Sequence, residues 1–288
     1  MTATGTMPAL CVLDGAVLPL AAARISPLDR GFLFGDGVYE TMKVLGGRPL
    51  FLAHHLARLD ASLAGLAIPR PPRVGETIAE LLAATGPFDG SLYLQVTRGT
   101  FSTRQHRPPV DGTPTFFVLP AESPSPDLAT ASGWTAISRP DWRWRRGDLK
   151  STSLAGAVLG NLEVARAGAD EILWMGDAGE LREGGHTNLF VRRDAALETH
   201  PLGTTVLPGV TRLLLFELAA GLGVPLVERT PRLAERASWS EAFVCGTLTG
   251  VRGLAALDGA PIGDGAVGPW TRKLAVALAA REREEAAR

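Results

Sequence analysis

Pro120-Ala121-Glu122-Ser123-Pro124-Ser125-Pro126 divides this chain. Three prolines and two serines in seven residues oppose both helix and central strand, because proline lacks a backbone donor and fixes its φ. The stretch reads as a linker over 121–130. It leaves a small N-terminal domain over 1–120 and a larger C-terminal domain over 131–288. Working back from it, Leu52, Leu56, Leu59, Leu63 and Leu66 recur at helical spacing and predict an amphipathic helix ended by Gly65 and Pro69. Residues 74–84 read as a second helix stopped at Gly86-Pro87. Residues 91–98 alternate Leu92, Leu94 and Val96 against Tyr93, Gln95 and Thr97, a strand pattern, and 115–119 read as another strand.

Working forward, strands are expected over 134–138, 142–146, 171–175, 187–191, 224–228 and 242–245. Helices are expected over 154–167, 210–220 and 270–282, the second opened by Pro208-Gly209. The order of elements is too irregular for a doubly wound sheet. The fold class is therefore α+β, built as two mixed lobes.

Composition narrows the function. The chain has 288 residues, 45% of them hydrophobic, and a formal charge of -1. That charge argues against nucleic acid or an anionic membrane as partner. No apolar run is long enough to span a bilayer. The first ten residues show no basic patch leading into an apolar stretch, so no signal peptide is expected. Cys11 and Cys245 are the only cysteines, too few for a disulfide framework and consistent with a cytoplasmic location. The five histidines show no metal-ligand spacing, and neither a nucleophile elbow nor a P-loop occurs.

The chemistry-bearing residues flank the second half of the chain. Lys150 sits in Arg146-Gly147-Asp148-Leu149-Lys150-Ser151-Thr152-Ser153, after an aromatic stretch and before small residues. Such a placement can bury the lysine stem and favour the neutral nucleophile. Glu183 sits in Arg182-Glu183-Gly184-Gly185-His186-Thr187-Asn188, a glycine-rich loop between apolar strands. A lysine able to form a Schiff base and an acid able to hold a pyridinium proton are the two groups that pyridoxal phosphate chemistry most needs. Leu207-Pro208-Gly209-Val210-Thr211-Arg212 opens a helix, so its free amides can face an anion. Gly246-Thr247-Leu248-Thr249-Gly250 offers further amides and hydroxyls, and Arg58 a bidentate cation. Arg98 to Arg107 gathers several cations, Arg104 and His106 among them, suited to a carboxylate.

Taken together, these motifs resemble the fold-type IV pyridoxal-phosphate enzymes, the class-IV aminotransferases. That family includes D-amino-acid transaminases, branched-chain aminotransferases and aminodeoxychorismate lyases. The resemblance runs from about Val12 to the closing helix. It rests on Asp29 to Thr41, His55 to Leu59, Lys150-Ser151, Glu183 to Asn188, Leu207 to Arg212 and Gly246-Thr247, in that order.

The resemblance implies two lobes with the active site between them, and a homodimer in which loops reach the neighbouring subunit's site. It implies that Lys150 carries pyridoxal 5'-phosphate and acts as the catalytic base. Glu183 would pair with the pyridine nitrogen and Leu207 lie against the ring. Arg58, Val210, Thr211, Gly246 and Thr247 would hold the phosphate. Within the family the chain looks most like the D-amino-acid transaminases, by Gly35 to Glu40, Gln95 to Thr100 and Trp270 to Leu274. Tyr39, Arg104 and His106 would then bind the substrate carboxylate, with Arg182 and Thr249 as further contacts. The implied reaction moves an amino group from a D-amino acid such as D-alanine to a 2-oxo acid such as 2-oxoglutarate. The alternatives are an aminodeoxychorismate lyase, or a branched-chain L-amino-acid or R-amine transaminase. Three features depart from the D-amino-acid pattern: one extra residue before Arg104, the Gly246 to Arg252 turn, and Arg182 itself.

Overall fold

A computed structural model describes residues 9–108, 112–123 and 132–288. Its chain contacts separate a first unit, Met1–Ser125 with Leu149–Leu154 and Glu285–Arg288, from a second, Pro126–Asp148 with Ala155–Glu284. Residues 1–8, where the absence of a leader was expected, and 124–130 of the expected linker lie outside the described residues.

The first unit contains β1 (Leu10–Leu13), β2 (Ala16–Pro19), α1 (Arg30–Phe34), β3 (Gly37–Leu45), β4 (Arg48–Pro49), α2 (Leu52–Leu66), α3 (Val74–Thr85), β5 (Gly90–Thr97) and β6 (Thr115–Glu122). Its strands pair in the order β2-β1-β6-β5-β3-β4, each pair antiparallel. Alternation decides which face is buried. Val38, Met42 and Val44 of β3 and Leu92, Leu94 and Val96 of β5 join Leu59, Leu63, Ile78 and Leu81 of the two long helices in one core. Glu40 occupies the same buried face of β3. That charge interrupts the apolar alternation, which is why 37–45 escaped the strand pattern.

Two details differ from expectation. Gly65 does not end α2. It lies inside the helix, where a Cβ would run into the side chain of Leu149. The helix stops instead at Ala67, in the left-handed conformation at φ 51°. Ala121 and Glu122, read as the start of the linker, complete β6.

The segment Leu149–Leu154 docks on β3. Ser151 pairs with Val38, the Tyr39 amide donates to the Lys150 carbonyl at 2.9 Å, and the Thr152 amide to the Gly37 carbonyl at 2.9 Å. Sequence order placed Lys150 in the C-terminal domain, whereas its backbone bonds group it with the N-terminal strands.

The second unit contains β7 (Trp134–Pro140), α4 (Ala155–Ala167), β8 (Glu171–Met175), β9 (Leu181–Gly184), β10 (Asn188–Arg193), β11 (Ala196–Thr199), α5 (Val210–Gly221), β12 (Leu226–Glu228), β13 (Trp239–Gly246), β14 (Gly250–Leu257), β15 (Ala260–Pro261) and α6 (Pro269–Ala286). The path β10-β13-β14-β7-β8-β9 returns to β10 through the Asn188–Glu183 pair, which closes a barrel. Leu173, Leu181, Leu189, Val191, Val244, Leu254 and Trp239 belong to one core cluster. On the other face of β8, Ile172 and Trp174 pack with Val164 of α4.

The expected strand over 142–146 is absent. β7 ends at Pro140, and the Asp141 carboxylate then accepts from the Arg143 amide at 3.1 Å. This local side-chain turn competes with the extended ladder. Among the described residues no helix is long and apolar enough to cross a membrane.

Candidate active site

Two groups of side chains hold the expected site residues, one in each unit. In the first unit β3 is the organiser. Its register brings the Lys150 main chain against Tyr39, and the Lys150 amide donates to the Ser62 hydroxyl of α2 at 3.2 Å. The Lys150 ammonium then stands 4.2 Å from the centre of the Tyr39 ring, a cation–π arrangement. The next β3 residue, Glu40, faces α2. Its carboxylate accepts from Arg58 Nε and Nη2, each at 2.8 Å, and lies 2.8 Å from His55 Nδ1. Glu40 is fully buried, and His55 and Arg58 nearly so.

Burial alone would raise the Glu40 carboxyl. The hydrogen bonds and charge of Arg58 and His55 reverse this and hold it down at about 2. Burial lowers His55 below its ordinary value, against the pull of Glu40. A neutral His55 donates its Nδ1 proton to Glu40. Arg58 is thus a buried arginine whose charge is already answered by a carboxylate. Neither Glu40 nor His55 was singled out as a site residue. The signal for them was polar residues on otherwise apolar faces of a strand and a helix.

The cationic loop after β5 divides into two kinds of residue. Arg98 is structural: it donates to Asp36 and to the carbonyls of Leu66 and Ala67. Arg104 and His106 are exposed, and both pack on the Phe34 ring, with the Arg104 guanidinium carbon at 4.9 Å and the His106 ring at 5.4 Å from its centre.

In the second unit Glu183 is the hub. It is only 5% exposed. Its Oε1 accepts from Arg143 Nη1 at 2.7 Å, and its Oε2 from the Leu207 amide at 2.9 Å and Asn188 Nδ2 at 3.3 Å. Burial raises the Glu183 carboxyl above its ordinary value, although Arg143 and the Leu207 amide pull it down. Arg143 is itself held by Asp141, whose carboxylate also accepts from Arg182. Arg182 reaches Glu180 with its other arm. Its charge is therefore shared between two carboxylates. Arg143 and Asp141 were not recognised as site residues. Arg143 lies in the Trp142–Arg146 stretch, whose aromatic and basic residues suggest a strand, and Asp141 just before it.

Asn188 links Glu183 to the next element, because its Nδ2 also donates to the Leu207 carbonyl at 3.0 Å. Two residues on, Gly209 precedes α5 in extended conformation, and no side chain caps that helix. The first-turn amides, those of Val210 and Thr211, have no acceptor within the helix, and the helix dipole favours an anion there. Gly246 and Thr247 begin the hairpin turn from β13 to β14, in which Gly250 takes φ 64° and Thr249 is half-buried. A Cβ on Gly246 would lie 3.3 Å from the His186 carbonyl. This turn therefore neighbours the turn that follows Glu183 between β9 and β10.

Within the second unit, a buried acid of raised proton affinity and an uncapped helix start suit a protonated pyridine nitrogen and a phosphate. Gly209 offers a probe of that fit. A Cβ there would overlap Asn188 Oδ1. Gly209→Ala is expected to cost about 1–3 kcal/mol in overpacking. The cofactor's affinity should fall roughly tenfold or more, as read by a fluorescence titration of the apoenzyme. Among the described residues no cluster of potential metal ligands occurs.

Residues 37–257 match the family model Amino-transferase class IV. The chain is 32% identical over 272 residues to a D-alanine aminotransferase of Bacillus licheniformis, covering 93% of this chain and 95% of that one. It is 32% identical to the crystal structure of 4-amino-4-deoxychorismate lyase from Pseudomonas aeruginosa, with a TM-score of 0.79 over 92% of this chain and 96% of that one. The Escherichia coli branched-chain amino acid aminotransferase superposes with a TM-score of 0.86 at 21% identity, over 96% and 95% of the two chains.

Proposed function

We propose, from the premise that this chain belongs to the class IV aminotransferases, that it moves an amino group from a D-amino acid such as D-alanine to a 2-oxo acid such as 2-oxoglutarate. Enzymes of this family depend on pyridoxal 5'-phosphate, which when bound supplies a carbonyl for the substrate amine and an electron-withdrawing ring. The protein supplies the rest. Lys150 Nζ would hold the cofactor at rest; once displaced by the substrate amine, the neutral amine would take the proton from the substrate Cα as general base and return it to the carbon that bore the cofactor's carbonyl. Glu183 keeps a proton at the ring nitrogen, and Arg143 keeps Glu183 in place. Leu207 lies against the ring. Arg58, the amides of Val210, Thr211 and Gly246, and the Thr247 hydroxyl bind the phosphate. Tyr39, Arg104 and His106 orient the substrate carboxylate, and Thr249 lines the same site. Arg182, already shared by Asp141 and Glu180, is left to support Asp141. The second half-reaction uses the same groups in reverse on the 2-oxo acid, a ping-pong cycle. The proposal includes a cytoplasmic homodimer whose loops complete the neighbouring site.

The similarity of nearly the whole chain to a D-alanine aminotransferase carries the D-amino-acid reading. The equal identity to a 4-amino-4-deoxychorismate lyase favours a second reading, in which the same Lys150 and Glu183 serve an elimination. One panel separates them. Purified holoenzyme is given D-alanine, L-alanine, a branched-chain L-amino acid or an R-amine with 2-oxoglutarate, and aminodeoxychorismate without it. Pyruvate formed from D-alanine beyond one equivalent per active site, and that excess only when 2-oxoglutarate is present, is the expected result. Turnover confined to L-amino acids or R-amines would reverse the substrate assignment, and 4-aminobenzoate formed without any 2-oxo acid would establish the lyase.

A further inference from the structure

We infer that Arg30 is the positioning residue for the Arg104–His106 loop, and that through this loop it sets the affinity for the substrate carboxylate. The second half of that inference rests on the carboxylate role proposed for Arg104 and His106.

Arg30 is 5% exposed, yet two of its three guanidinium nitrogens donate to a surface loop. Nη1 donates to the Gln105 carbonyl at 2.6 Å and Nη2 to the His106 carbonyl at 3.1 Å. Nε donates to Asp36 Oδ2 at 2.7 Å. A planar fork can address two consecutive carbonyls at once, which an ammonium on a flexible stem cannot. Residues 101–107 belong to neither helix nor strand, so these two charged bonds define where their main chain runs. The Phe34 ring completes the seat. Arg30 and Arg104 approach it at 4.7 and 4.9 Å, and His106 meets it edge-on.

Arg30 is itself fixed from both sides. Asp29 caps α1 by accepting from the Gly31 amide, and its other oxygen accepts from Thr97 and Thr115. Gly35, at φ 65°, ends α1 after Phe34 and turns Asp36 back toward Arg30. Asp36 also takes two bonds from Arg98, which grips the end of α2. Burial would raise the Asp36 carboxyl, but the bonds from Arg98 and Arg30 hold it below its ordinary value. The geometry of the loop is thus referred, through Arg30 and Asp36, to the core strands and α2.

The test compares the holoenzyme with Arg30→Gln, Arg30→Lys, Arg104→Ala and His106→Ala variants. It measures KM and kcat for the amino donor, and the rate of tryptic cleavage after Arg104 in the variants that keep it. Loss of two charged hydrogen bonds in Arg30→Gln is expected to raise KM about tenfold or more with little change in kcat. Cleavage in the loop should accelerate, and Arg30→Lys should restore both only in part. If Arg30→Gln leaves KM and cleavage unchanged while Arg104→Ala raises KM, the positioning role is overturned and the carboxylate reading stands. If Arg104→Ala and His106→Ala leave KM unchanged, the carboxylate reading and the affinity half of this inference fall together, and the cleavage rate alone decides whether Arg30 holds the loop. Should Arg30→Gln not fold, Arg30→Lys keeps the charge, loses the fork and decides the same question.

Discussion

Lys150→Ala is expected to lower the transamination rate by about a thousandfold or more, since both the covalent tether and the general base are lost. The fold should be nearly indifferent to the same change. Lys150 joins its segment to the fold through main-chain groups: its amide donates to Ser62, and its carbonyl accepts from Tyr39. The side chain contributes only its place over the Tyr39 ring, worth about 1 kcal/mol at a partly exposed site. A steady-state assay and a thermal melt on the same preparation check both halves. A fully active Lys150→Ala enzyme would remove Lys150 from the mechanism.

Glu40→Ala is expected to produce the largest loss of stability, about 3–5 kcal/mol, because it leaves the buried Arg58 charge without its carboxylate. Urea unfolding monitored by tryptophan fluorescence would show it. The same network makes stability depend on acid. The Glu40 carboxyl lies at about 2 in the folded protein against an ordinary 4.5. Its stabilisation is complete above 4.5 and is lost as pH falls toward 2, since the unfolded chain binds the proton first. His55 is shifted down from 6.5 by burial. It too favours the unfolded chain once pH falls below about 6.5. Both effects have one sign, so stability should decline on acidification from pH 6.5 downward and most steeply below 4.5. Glu40→Gln removes the lower part of that dependence. A variant with the same slope as the parent between pH 4.5 and 3 would show that Glu40 does not govern it.

Elements with clean periodicity were legible. The leucine spacing places α2 at Leu52–Leu66, and the apolar run at Glu171–Met175 is β8. The strand over 142–146 failed because Asp141 diverts the backbone into a side-chain turn, and β3 was missed because Glu40 breaks its apolar face. Arg182 illustrates a different difficulty. A cation beside Glu183 is visible in the sequence, but the two carboxylates that claim it come from Asp141 and Glu180. Asp141 is remote in sequence and becomes a neighbour only when β7 and β8 pair and the barrel closes.

Residue chemistry and spacing by themselves determined the family-level features of this protein. An amine and an acid in glycine-rich surroundings, an uncapped helix start and a threonine hairpin are local properties, set by side chains and by neighbours a few positions away. Tertiary structure alone decided how charges are allocated. That Glu40 holds Arg58, that Arg143 holds Glu183 and that Arg30 holds the loop of Arg104 and His106 depends on strand register and helix packing. Those bring together groups 18, 40 and about 75 residues apart. Burial then gives each pairing its weight, because an ion removed from water must find its partner within the fold.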